Sequence, residues 1–200
     1  EHRMTRQKKH ARPAHPVPWL CGAAVVLVLG ALLLRWGYRR YLRSVYPTEH
    51  SQIVTACAEE YDVPASLIYA VIHTESGFRE GALSSADAKG LMQLTDDTFL
   101  WALSRAGDKD KYTVDDLYDP QVNIRYGTLV LHLLSQQFTD PETVLAAYNA
   151  GQGRVRSWLN DSRYSSDGVH LDHIPYTETA NYVRRVTAAQ QRYRTLYGLP

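Results

Sequence analysis

Cysteine is almost missing from this chain, which has only Cys21 and Cys57. Cys57 alone lies beyond the apolar N-terminal stretch, so the C-terminal part has no internal disulfide and must be held by packing. No group of His and Cys has the spacing of a metal site, which leaves His170 and His173 as loop residues and gives no metal and no cofactor to expect. An excess of charge of one sign is missing too. The formal net charge is +1, too small to draw the chain to polyanions. Its basic residues are unevenly placed, with a concentration in the first 43, and nucleic acid is excluded as the main partner. Neither an internal repeat nor a low-complexity segment beyond the N-terminus is present.

What remains suits one globular domain with an appendage, since 44% of the 200 residues are hydrophobic. Residues 1–16 carry Arg3, Arg6, Lys8, Lys9 and Arg12 with two prolines, follow no apolar period, and read as a disordered basic start. Met4 is a plausible initiator behind the glutamate. Residues 17–34 are apolar and uncharged until Arg35. Trp19 at one end, with Trp36 and Tyr38 at the other, match the aromatic belts of a bilayer span. About 20 apolar residues are needed to cross, so a span over 17–38 is just long enough if Arg35 snorkels. A cleaved signal peptide would need a small-residue cleavage site that is not seen. A lipoprotein signal would need its cysteine after the apolar core, whereas Cys21 precedes it. The expectation is a single-pass N-terminal anchor, then an Arg- and Tyr-rich linker over 39–47 and a folded domain over 48–200. Positive residues on both sides nearly balance, so charge does not set the orientation.

The informative stretch is residues 62–93. Asp62 as cap and Pro64 in the first turn predict a helix. Ile68, Val71, Ile72 and Glu75 then fall at i, i+3, i+4 and i+7, one buried stripe. A carboxylate ending an apolar stripe is anomalous. Desolvation and the negative end of the helix dipole both raise its pKa, which favours an acid that keeps its proton near neutral pH. The pattern alone leaves a second reading open, in which Glu75 turns outward at a fraying end. After Ser76-Gly77 the period stops, and Gly81, Ser84, Ser85 and Asp87 mark a loop ending at Gly90-Leu91-Met92-Gln93.

Around this stretch, helices are expected from Thr48 to Tyr61, from a Thr95 cap to Gly107, from Asp119-Pro120 to Phe138, from Asp140-Pro141 to Gly151, and, led into by residues 174–179, through Tyr182, Val183, Val186 and Tyr193. The helix after Pro120 is the best amphipathic candidate and the expected central packing partner. Residues 107–118 read as a charged loop, and 160–173 as an exposed loop or short hairpin. Cys57, on a face with Ile53 and Ala56, reads as a buried structural thiol. His73 lies off the apolar stripe and reads as surface. Trp101 and Trp158 read as packing residues.

Glu75-Ser76, followed eighteen residues later by the Gln of Gly90-Leu91-Met92-Gln93, resembles the catalytic domain of the lytic transglycosylases. These are lysozyme-like enzymes that cut the glycan strands of bacterial peptidoglycan. Asp119-Pro120 with Asn123-Ile124 and Gly127, then Ala147-Tyr148-Asn149-Ala150-Gly151, then Pro175-Tyr176 with Glu178-Thr179 and Tyr182, are similar to its further blocks in the same order. The resemblance covers roughly 48–197. It implies a mainly α, lysozyme-like α+β fold, with short β structure around 160–173, for the domain that follows the single N-terminal transmembrane helix read above, and it implies a catalytic domain outside the membrane.

As chemistry, the resemblance implies that Glu75 is the acid and then the base, with no carboxylate nucleophile and a 1,6-anhydro product. Ser84, Met92, Gln93, Tyr148, Asn149, Glu178 and Tyr182 would then line or order the binding cleft, and the partner would be peptidoglycan. A goose-type muramidase using water, and a catalytically silent wall-binding scaffold, are the alternatives. From the residues alone, Asp87, Asp96, Asp97, Asp172 and Glu178 are all candidates for a second carboxylate. Two departures from the family stand out: Asp87 where glycine is common, and Thr95-Asp96 where Met-Pro or Thr-Pro is frequent.

Overall fold

The computed structural model describes the backbone of residues 17–200 and the side chains from residue 24 onward; the basic start over 1–16 lies outside the described residues. Two compact units are present, dividing between Ser44 and Val45. In the first, helix α1 runs Val17–Val45. Its side chains from Val25 to Leu34 are largely exposed, Leu27 at 74% and Leu34 at 77%. No helix among the described residues is long and apolar enough to cross a membrane.

The second unit is built from seven α-helices and one 3-10 helix, with its core running through nearly every element. Helix α2 (Ser51–Tyr61) starts behind His50, not Thr48, because His50 takes a left-handed turn that brings the chain in without a side-chain cap. Asp62 closes α2 in a left-handed conformation and does not cap the next helix; Pro64 holds that position for α3 (Ala65–Glu75). Helix α3 is buried on more than one stripe, from Ala65 through Ile72. Each of its larger aliphatics contributes about 1.5–3 kcal/mol by leaving water. It packs most extensively on α8 (Thr177–Tyr197).

The proline signatures act as the sequence implies. Asp119 accepts from Gln121 N and Val122 N ahead of α5 (Pro120–Ser135), and Asp140 accepts from Thr143 N ahead of α6 (Pro141–Ala150). Thr95 accepts from Thr98 N at the start of α4 (Asp96–Ala106). Helix α5 packs on α2, α4 and α6, so the central role is shared between α5 and α3. Gly151, at φ 91°, turns α6 into α7 (Gln152–Leu159).

Further expectations are corrected. The charged loop after Gly107 contains a 3-10 helix, Val114–Tyr118, stabilised by a Thr113–Asp116 capping box. Residues 160–173 hold no β structure; the antiparallel bridges present, Leu83 to Lys89 and Lys89 to Leu94, lie in the loop after α3. His73 is partly buried, stacked on Tyr46 at 4.7 Å with Nε2 3.1 Å from Val45 O. Tyr193 and Tyr197 donate to Pro47 O and Tyr46 O. These bonds draw residues 45–47, expected as linker, into the globular unit. Cys57 is buried as expected, and burial pushes its thiol up to about 11, which makes it inert.

Candidate active site

Glu75 is the last residue of α3, where the helix runs out beside an open cleft of about 430 Å³. Ser84, Gln93, Tyr148, Asn149 and Glu178 line the same cleft, so residues from four separate segments converge on it. Burial is the main influence on the Glu75 carboxyl and pushes it up to about 7. The Tyr182 hydroxyl and the Arg185 charge pull it down, and the Glu178 charge pushes it up again. Glu178, Tyr182 and Arg185 stand at i, i+4 and i+7 on α8, one face of the helix against which α3 packs. The result is a group that holds or loses a proton near neutrality, which is the requirement for acid and base work by one carboxyl.

The remaining acids are sorted by position. Among the described residues, Glu178 is the one candidate second carboxylate that lines this cleft. Asp96 and Asp87 pair with Lys89 at 2.5 and 3.3 Å. Asp97 faces the neighbouring groove, and Asp172 accepts from Ser166 N.

The loop after α3 is shaped by its backbone. Asp87, Gly90 and Gln93 have φ of 59, 73 and 50°. That accounts for the first departure from the family: a left-handed position favours glycine, and a short polar residue such as Asp tolerates it. The second departure has its own compensation, because Thr95 caps α4 and Asp96 holds the nearly buried Lys89. Ser84 Oγ accepts from Ala86 N and Ala88 N, so Ser84 is a turn former and a cleft residue at once, with its own proton left to donate. Gln93 Nε2 donates to Ala82 O and Gly90 O at 3.2 and 2.9 Å, which spends the amide donors on the loop and leaves its carbonyl oxygen for a ligand.

Met92, expected at the cleft wall, is elsewhere, and Tyr182 takes the second of its two expected roles, ordering the acid instead of stacking on a sugar. Met92 is fully buried against Gly127, where a Cβ would stand 2.5 Å from its sulfur. Apolar packing keeps its side chain out of the cleft, and its backbone carries the useful contacts. Met92 O accepts from Tyr148 Oη at 2.9 Å, and Met92 N donates to Asn123 Oδ1 at 2.7 Å. Tyr182 is also buried and offers no surface for stacking; its hydroxyl has no partner at full hydrogen-bond geometry and acts on Glu75 from behind the cleft. Asn149 Oδ1 accepts from the buried Thr179 Oγ1 at 2.8 Å, which turns its amide nitrogen into the donor available to a ligand.

The residues to which sequence reasoning gave no role at the site are Asn123 and Thr179, named only as parts of motifs, and Arg185, not named at all. Asn123 Nδ2 donates to Lys89 O and Leu117 O while its oxygen takes Met92 N, so one buried amide holds the loop in two places and ties it to the 3-10 helix. Its spacing behind Asp119-Pro120 was the signal for it. Arg185 had only its helical offset from Tyr182. Of the two tryptophans in the second unit, Trp158 is buried against Tyr176, while Trp101 is half-buried and lines the groove beside the cleft.

A helical domain whose one desolvated acid ends a buried helix, beneath a cleft of amides and hydroxyls, is of the lysozyme-like class. Residues 52–170 match the family described as Transglycosylase SLT domain, and the chain belongs to that family. It is 31% identical over 196 residues to the soluble lytic murein transglycosylase of Escherichia coli K12, covering 97% of this chain and 30% of that one. It is 32% identical to membrane-bound lytic murein transglycosylase C of Glaesserella parasuis, over 72% of this chain and 45% of the relative. The chain thus spans less than half the length of either. Among solved structures, an inactive glutamate-to-glutamine mutant of a lytic transglycosylase from Pseudomonas aeruginosa superposes with a TM-score of 0.64 at 31% identity, over 76% of this chain and 25% of that one.

Proposed function

We propose that the chain is a peptidoglycan lytic transglycosylase, cleaving the β-1,4 bond between N-acetylmuramic acid and N-acetylglucosamine, with Glu75 as its single acid and base. The observation that carries this reading is the Glu75 carboxyl, raised to about 7 at the wall of a cleft lined by hydrogen-bonding side chains. Protonated Glu75 gives its proton to the glycosidic oxygen as the C1–O bond breaks and positive charge develops at C1. The carboxylate left behind removes the proton of the C6 hydroxyl, O6 bonds to C1, and a 1,6-anhydro ring closes. Water is neither consumed nor released. No carboxylate nucleophile is invoked, and the substrate's N-acetyl group assists, an accepted exception to the two-carboxylate scheme. The Asn149 amide, the Gln93 carbonyl, and the hydroxyls of Ser84 and Tyr148 hold the sugar; Glu178 and Tyr182 set the proton affinity of the acid. That a relative is inactivated by exchanging one glutamate for glutamine supports the assignment.

The same reading places α1 as a membrane anchor, with the C-terminal unit outside. Its support is an exposed apolar surface from Val25 to Leu34, followed by Trp36, Arg39, Arg40, Tyr41 and Arg43 at the point where a bilayer surface would lie. The existence of a membrane-bound relative agrees with it.

The deciding experiment digests purified peptidoglycan with the detergent-solubilised chain and weighs the products. Anhydro-ended muropeptides, one water lighter than reducing-ended ones, are expected. Reducing ends would make the chain a goose-type muramidase, and absence of any product would leave a wall-binding scaffold. Glu75→Gln is expected to lower turnover by about 10³-fold or more with folding intact. Retention in the membrane fraction after alkaline extraction tests the anchor.

A further inference from the structure

Beside the Glu75 cleft lies a second groove of about 200 Å³, and Thr98, Val130, Tyr148 and Gly151 line both. The two are therefore one continuous depression, whose far part is walled by Asp97, Trp101, Leu134, Ala147 and Gln152. We propose that this far part is an additional saccharide subsite, occupied by a sugar unit beyond those that straddle Glu75, with Trp101 as its platform. The inference rests on the glycan-cleaving reading above.

The lining has the two faces of a pyranose. An indole plane suits the C–H face of a sugar ring, and a carboxylate, a hydroxyl and an amide at Asp97, Thr98 and Gln152 suit its equatorial hydroxyls. Trp101 is half-buried, unlike Trp158, which is sealed against Tyr176. The Arg105 guanidinium stands over the Trp101 ring, 5.9 Å from its centroid and one helical turn along α4, which steadies the ring without burying it. The charge of the lining favours sugar over a peptide stem. Asp97 is an exposed carboxylate at the rim, and stem peptides carry carboxylates that it would repel.

The test uses the full chain carrying Glu75→Gln, so that ligand survives, titrated calorimetrically with N-acetylglucosamine oligomers from the disaccharide to the hexasaccharide. Affinity is expected to rise with length. Adding Trp101→Ala should remove one step of that rise, weakening the hexasaccharide about tenfold and leaving the disaccharide unchanged. Trp101→Phe, which keeps a ring and the helix packing, should restore most of the step. Equal weakening at every length, or none, would overturn the subsite while leaving the cleft reading intact. Failure of the parent to bind any oligomer would overturn both. Glycan strands with and without their peptide stems complete the set: a Trp101 effect confined to stem-bearing strands would make the peptide the occupant and end the proposal.

Discussion

Residues 82–94 and residues 160–173 are both long connections without a regular helix, yet they are held in opposite ways. The first is fixed from a distance. Asn123 clamps Lys89 and Met92, Tyr148 holds Met92 O, and Ala88 through Met92 are buried. The second is fixed mainly by its own side chains. Asp161 grips Arg163, Asp167 accepts from Val169 N, His170 N and His170 Nδ1, and Ser165 Oγ accepts from Gly168 N. A loop that must present Ser84 and Gln93 opposite Glu75 is tied to the core, since local bonds fix a turn's shape but not its place. A loop that only joins α7 to α8 is under no such demand.

That contrast breaks most violently at Gly90. Its φ of 73° already disfavours any side chain, and a Cβ would lie 2.3 Å from both Asn123 Nδ2 and Leu117 O. Gly90→Ala is expected to cost about 4 kcal/mol or more in urea unfolding and to abolish glycan cleavage. Next comes Asn123→Ala, which strands buried partners of three hydrogen bonds; a loss of about 3 kcal/mol is expected. Asn123→Asp should not rescue it, because a carboxylate cannot donate to Lys89 O and Leu117 O.

A smaller effect tests how α8 tunes the acid. The working proton is present below the Glu75 pKa of about 7, so the activity of the intact chain should fall as pH rises through that value. The Tyr182 hydroxyl lowers this pKa and Glu178 raises it. Tyr182→Phe should therefore move the alkaline limb of kcat/KM upward, and Glu178→Gln should move it downward; a shift of the same sign in both would refute the arrangement. Stability carries the same sign. The ordinary value is 4.5 and the folded value is higher, so the stability tied to protonated Glu75 is fully present below 4.5 and lost as pH rises through about 7. Glu75→Gln should flatten that decline in a pH series of thermal melts. The smallest effect is expected in the other loop. Asp167→Ala removes a local turn anchor that is half exposed, and should leave activity unchanged and move the thermal midpoint less than any variant above.

Much of the fold was legible because its signals are short-ranged. Asp119-Pro120, Asp140-Pro141 and Thr95 each act within one helical turn, and each begins a helix in the structure. Glu75 was legible for the same reason, as a charged residue ending an apolar stripe. Asp62 and Thr48 misled, because a left-handed residue at His50 and again at Asp62 reset the helix starts, a backbone choice that side-chain type scarcely announces. Met92 misled in another way: membership of a motif does not say which face of a turn is wet.

The sequence alone determined where the helices behind Thr95, Asp119-Pro120 and Asp140-Pro141 begin, that one acid would be short of water, and which residue types accompany it. Tertiary packing decided the rest. It chose Glu178 from five acids by laying α8 along α3, buried Met92 against Gly127, and spent the Gln93 donors on its own loop. The reason is one of range: capping and burial are settled within a few residues of chain, whereas the distance between groups a hundred residues apart is fixed only when the helices that carry them meet.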